Sequence, residues 1–278
     1  MSYGAAVIVD PSMQDQNPQR SFGEEGGKLS YGSYLKIPEI LSQQVLLSDP
    51  PAHDELLFIV VHQAYELWFK QIVFELETVR RLIGEGELLR ARHLLSRVHA
   101  IEAVMIEHIG VLQTMSPQDF LEFRHNLAPA SGFQSVQFRE VEFISGLKDE
   151  RYLNRLQLSD EELERLKRRL DEPTLWDAFC ALLESRELPM PADDAEARRQ
   201  SLIEMAKNRD AYGEEFYVSE ALLDHDEQFS LWRYHHVLMV ERQIGTKSGT
   251  GGSAGAPYLR TTLSKRFYPE LWDVRSNL

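Results

Sequence analysis

The chain has 278 residues, enough for one large domain or two small ones around a substantial core. Its 30 basic and 44 acidic residues give a net charge of −14, which argues against nucleic-acid and anionic-membrane partners, since both call for a basic face. The one cysteine, Cys180, excludes an intramolecular disulfide, a cysteine cluster for zinc or iron–sulfur, and a C-x-x-C-H attachment motif, and it points to a reducing cytoplasm.

In chain order, residues 1–28 are rich in Ser, Gln, Asn, Gly and Pro and read as a mobile lead-in. They lack the basic-then-apolar pattern of a secretory signal. Tyr31 to Ile40 is short and aromatic. Ser48-Asp49-Pro50-Pro51 introduces a long helix over about residues 53–83, with Leu57, Val61, Ala64, Leu67 and Trp68 at helical spacing. Gly84-Glu85-Gly86 breaks it, and a second helix follows over about 87–112. Ser116-Pro117 reads as an N-cap with proline at the first helical position, opening a short helix that carries Phe120, Phe123 and Arg124. Residues 126–132 read as a loop, 133–144 as helix, and 158–186 as one or two charged helices interrupted near Pro173. A linker-like patch at 188–194 precedes a last long helix over about 214–244. A short helix is expected over 259–263, and Tyr268 to Trp272 closes the pattern. There is no strand-length alternation, no internal repeat, and no run near the roughly 18 apolar residues of a membrane span. The expected architecture is all-α, a bundle with long antiparallel helices, with 29–278 as a single domain.

Three places carry candidate chemistry. His62 sits in an apolar helical run, one turn from Phe58 and Glu66. It reads either as a core histidine or as a pocket group that exchanges a hydrogen bond with a ligand held against Phe58. His235 and His236 are adjacent, so their side chains point about 100° apart and a pocket takes one of them. His236 shares its stripe with Phe229, Trp232, Met239 and Val240, whereas the stripe of His235 ends in Arg242. The more continuous apolar stripe favours His236 as an iron ligand, with a structural histidine as the alternative. Arg124 follows Phe123 and precedes the small-residue loop Ala128 to Ser131. That setting suits a bidentate grip on a carboxylate, or else a salt bridge. Gly249-Thr250-Gly251-Gly252-Ser253 is a candidate lid or an ordinary surface loop. It is not a phosphate loop, because G-x-x-x-x-G-K-[ST] is absent.

Four segments together resemble the tryptophan 2,3-dioxygenase family. They are His62 to Gln71, Phe123-Arg124 with Pro129 to Ser135, Leu231 to His236, and Gly249 to Ser253, in that order. The resemblance extends from about Tyr31 to Val274. It implies an all-helical haem enzyme, usually a homotetramer, with one b-type haem per subunit. It implies L-tryptophan and O2 as substrates and N-formylkynurenine as product. On matching positions it implies His236 as the axial iron ligand and His62 on the oxygen side, meeting the indole N–H. Phe58 would pack on the indole, Arg124 would bind the carboxylate, and Thr250 would hold the amino-acid end. Ser131 and Gly132 would line the oxygen side. Tyr31 and Tyr34 match a segment that reaches into a neighbouring subunit's pocket. Phe120 departs from members that have tyrosine there, which removes one polar contact to the carboxylate. Two other functions would use similar residues: a haem relative that inserts one oxygen atom into a modified tryptophan or indole, and a non-catalytic haem-binding or sensing protein. Counting labelled oxygen atoms in the product separates the first, and a carboxylate clamp argues against the second.

Overall fold

The computed structural model describes residues 29–278, so the expected lead-in over 1–28 lies outside the described residues. Among the described residues every regular element is helical. The chain divides after Val45 into two units. In the first, Ser30 and Ser33 cap one another's backbone at the start of α1 (Tyr31–Leu35). Lys36 turns the chain through a left-handed conformation (φ 55°) into α2 (Ile37–Leu41). Tyr31 and Tyr34 project from α1 with 77% and 72% of their surface exposed.

Three long helices frame the second unit. The first, α3 (Glu55–Gly84), buries Val61, Tyr65, Phe69, Ile72, Leu76 and Val79 at three- and four-residue spacing. The next, α4 (Leu88–Leu112), does the same with Leu88, Ala91, Leu95, Val98, Met105 and Ile109. Gly86 (φ 76°) makes the reversal between them, where a side chain would be strained. Arg97 pairs back to Glu75, and the Tyr65 hydroxyl donates to the Met105 carbonyl, so the two helices run antiparallel.

The connecting helices are α5 (Pro117–Arg124), α6 (Val136–Ser145), α7 (Arg151–Arg155), α8 (Asp160–Asp171), α9 (Leu175–Ser185) and α10 (Ala195–Lys207). The third long helix is α11 (Arg209–Ile244), followed by α12 (Ala256–Arg260) and α13 (Pro269–Val274). Helix α4 packs along both α3 and α11. His99 meets the Ala221 carbonyl, Glu102 meets His225, and Gln243 donates to the Met115 carbonyl. These contacts rise together along both helices, so α4 and α11 run parallel while α3 opposes both.

Several boundaries differ from expectation. The patch at 188–194 is no linker: Leu188 and Met190 are buried, and the Ser201 hydroxyl donates to the Pro189 carbonyl. Helix α10, which the sequence pattern missed, buries only Ser201, Leu202 and Met205, a stripe too narrow to read as periodicity. Helix α11 starts at Arg209, ahead of the expected 214, with Tyr212 out of helical geometry (φ −124°, ψ 30°). Helix α12 starts at Ala256 because Pro257 fits its first turn.

Candidate functional site

Helix α3 brings Phe58 and His62 to one face. The His62 Nδ1–H donates to the Phe58 carbonyl one turn back at 2.7 Å, which leaves Nε2 with its lone pair free for a ligand. The two rings lie 4.0 Å apart. Burial lowers the His62 pKa, so the ring is neutral at pH 7. Phe58 also packs against Phe120 and Phe123 of α5, at 5.8 and 5.6 Å between ring centres. Phe120 is therefore part of an aromatic wall.

Helix α11 presents His236, and its ring stacks almost coplanar on Trp232, 5.2 Å away with 6° between the planes. Burial, and then repulsion from His62 where both rings would be protonated, push the His236 pKa down to about 4. The imidazole is thus neutral, and the two histidines lie within electrostatic reach of one another. Among the described residues no hydrogen bond engages either nitrogen of His236. His235 is exposed beside Tyr234, so the structure turns it away from the residues around His236.

The polar end is built from two loops. Arg124, the last residue of α5, donates through Nη2 to the Ser248 carbonyl, while its Nε is buried without a partner. A guanidinium so placed ties α5 to the glycine loop and keeps a donor in reserve. Thr250 donates to the Ala130 carbonyl at 2.6 Å. Gly251 allows this seating, because a Cβ there would stand 2.5 Å from the Ser131 Cβ. Ser131 caps the turn Gly132–Gln134 by accepting from the Phe133 amide, and Gly132 has open space above it. Beside this seam lies a cavity of about 320 Å³ lined by Ser131, Phe133, Arg155, Ser253 and Tyr258.

Phe58, His62 and His236 thus gather on facing helices, and Arg124, Thr250, Ser131 and Gly132 gather where the loops meet. Tyr31 and Tyr34 belong to the first unit and are described there alone. The sequence pattern missed a buried network on α11. There His225 Nδ1 pairs with Glu102 of α4 at 2.7 Å and its Nε2 with Ser145 of α6 at 2.9 Å. His225 and Ser145 are wholly buried, so this serine–histidine–acid array joins helices and meets no substrate. The available signal was spacing: His225 lies about three turns before His236, on the same face.

Two neutral histidines lie within electrostatic reach of one another, and one of them, without a hydrogen bond among the described residues, stacks on Trp232. This donor set fits a flat iron cofactor held by a single imidazole. Among the described residues no group of three or more His, Cys, Asp or Glu is placed to hold a bare metal ion.

Comparison with known proteins gives a consistent result. A family described as tryptophan 2,3-dioxygenase matches residues 13–193 and 192–278. A tryptophan 2,3-dioxygenase of Nocardioides is 56% identical over 263 residues, covering 93% of this chain and 98% of the relative. One from Herpetosiphon aurantiacus is 44% identical, covering 90% and 98%. One from Myxococcus xanthus is 39% identical, covering 91% and 90%.

Proposed function

The chain belongs to the tryptophan 2,3-dioxygenase family and cleaves the indole C2–C3 bond of L-tryptophan with O2 to give N-formylkynurenine, and from that premise we propose that the reaction runs on one b-type haem per subunit, held by His236. The observation that carries this reading is the pair of neutral histidines on opposed helices, with the ring of His236 unengaged. The haem, when bound, supplies ferrous iron to bind O2.

The chain's own residues do the rest. Phe58, with Phe120 and Phe123 behind it, offers the aromatic surface for the indole. Nε2 of His62 accepts the indole N–H, because Nδ1 is already committed to the Phe58 carbonyl. Removing that weakly acidic proton outright is not required for attack from C3, so the role assigned to His62 is positioning. Arg124 takes the carboxylate, and Thr250 holds the amino-acid end from the glycine loop. Together they turn substrate affinity into alignment of the ring. Ser131 and Gly132 line the oxygen side at the seam with that loop. The two alternative functions are not favoured, since the relatives are named for two-oxygen cleavage across nine tenths of their length or more.

We further propose a cytoplasmic homotetramer. Among the described residues no helix is long and apolar enough to cross a membrane. The deciding experiment records the haem spectrum of purified protein and the mass of the product formed from L-tryptophan under labelled O2. Haem binding with two labelled atoms in N-formylkynurenine supports the reading; turnover by haem-free protein would overturn it.

A further inference from the structure

A run of aromatic rings leads away from His236, starting on α11 and ending at Tyr268, the residue before α13. Trp232 stacks on His236 at 5.2 Å, Phe229 lies 5.9 Å from Trp232, Phe267 lies 5.0 Å from Phe229, and Tyr268 lies 6.0 Å from Phe267. At the far end the buried carboxylate of Asp226 accepts two hydrogen bonds through Oδ2, from the Tyr268 amide at 3.2 Å and from Nε1 of Trp272 at 2.9 Å. Its Oδ1 has no partner. Trp272 is half-buried, with the Arg266 guanidinium 4.9 Å above its ring.

The two tryptophans differ in one chemically decisive respect. Nε1 of Trp232 is buried and faces the Tyr65 hydroxyl, and a neutral phenol is too weak a base to take the proton when an electron leaves that ring. Trp272 has a carboxylate on its N–H and a cation over its face. The cation disfavours a positive ring, and the carboxylate can take the proton.

We propose that Trp272 and Asp226 form a redox outlet that protects the haem site from peroxide when tryptophan is absent, with Trp232 as the relay. The proposal rests on the haem reading above. With haem bound, hydrogen peroxide would act as a two-electron oxidant there: one oxygen would leave as water at once, and the second as water after two electrons and the two thiol protons have been delivered. One electron passes from the Trp272 indole across the Asp226 hydrogen bonds to Tyr268 and on through the ring series to the haem, and the Nε1 proton moves to Oδ2 of Asp226, leaving a neutral indolyl radical. A thiol from solvent returns the electron, Asp226 returns the proton, and the cycle repeats for the second equivalent. The net reaction is H2O2 + 2 RSH → 2 H2O + RSSR.

The test treats ferric holoenzyme with peroxide, without tryptophan, and freezes it for electron paramagnetic resonance. The expected result is an indolyl radical whose lines narrow on incorporation of ring-deuterated tryptophan. It should vanish in Trp272→Phe while L-tryptophan cleavage stays at the parent level. Peptide mapping of the peroxide-treated parent protein needs no variant and should find oxygen added at Trp272 when thiol is omitted. A ferric haem spectrum with an unchanged radical in Trp272→Phe, or oxidation confined to other residues, overturns the outlet and leaves the haem reading intact. Absence of the haem spectrum in the parent protein overturns the haem reading itself, and the outlet with it.

Discussion

An imidazole can serve an iron only if it is neutral and its lone pair is unspent. His236 meets both conditions, whereas His235 points to solvent. His236→Ala should therefore abolish stable haem binding while His235→Ala retains it, as read from the Soret band after gel filtration; the reverse pattern would reassign the ligand. His62→Ser should lower activity and tryptophan affinity without ending turnover. Complete loss with haem and tryptophan still bound would show obligatory base catalysis instead. For Arg124, lysine keeps the charge and loses the planar fork. Arg124→Lys should raise the KM for L-tryptophan at least about tenfold, or roughly 1.4 kcal/mol, with a much smaller effect on indoles that lack a carboxylate. Equal losses for both ligand types would make Arg124 structural. Residue type and local pattern made these positions legible, because a histidine on an aromatic stripe or an arginine beside a small-residue loop is visible without coordinates. What stayed hidden depended on pairing across the fold. The tautomer of His62 is set by a carbonyl, and the Glu102–His225–Ser145 network joins three helices that no local pattern connects.

At the scale of elements, the glycine loop works because it can seat closely. Gly251→Ala forces a Cβ against that of Ser131, so the loop must lift from the Ala130 turn and Thr250 must lose its anchor. The expected outcome is a raised KM for tryptophan with haem binding unchanged, measured by steady-state kinetics and a spectroscopic haem titration. The entry to α3 depends on pH. Glu55 is buried at the helix start, and its carboxylate accepts from the Leu47 and Ser48 amides and from the Ser48 hydroxyl. Burial alone would raise its pKa, but these hydrogen bonds outweigh burial and lower it. A depressed folded pKa contributes stability above the unfolded value of 4.5 and loses it as pH falls through the folded value. Glu55→Gln should cost roughly 1–3 kcal/mol near neutral pH, and the gap to the parent should close in acid, as followed by denaturant midpoints. A gap constant with pH would rule out the carboxylate. The long helices were legible because α3 and α4 repeat their apolar positions over many turns and glycines mark the break. Helix α10 was not, because three buried side chains define no period. The burial of Leu188 and Met190 was also illegible, since short irregular segments show no sign of what they pack on.

At the scale of the whole molecule, the single chain leaves apolar surface that a second copy can cover. Leu56, Val60, Leu67 and Phe74 on α3 are 47%, 47%, 59% and 63% exposed, and their spacing places them along one face. Leu231, Tyr234 and Leu238 form a similar exposed stripe on α11. Tyr31 and Tyr34 are more exposed still, on a five-residue helix that buries nothing of its own. A short aromatic segment of this kind gains stability only in a groove, and the family resemblance puts that groove on a neighbouring subunit. The proposed homotetramer therefore has active sites that each borrow residues 29–40 from another chain. Removing residues 1–28 should be tolerated, because that stretch is too poor in apolar side chains to contribute packing. Removing residues 1–40 takes away Tyr31 and Tyr34 but leaves α3 and α11 with both histidines. Haem should then stay bound through His236 while tryptophan binding falls sharply and the assembly loosens. Sedimentation velocity, the Soret band and the KM for tryptophan, measured on both truncations, read these three effects separately. A fully active monomer after the longer truncation would show that each site is complete within its own chain.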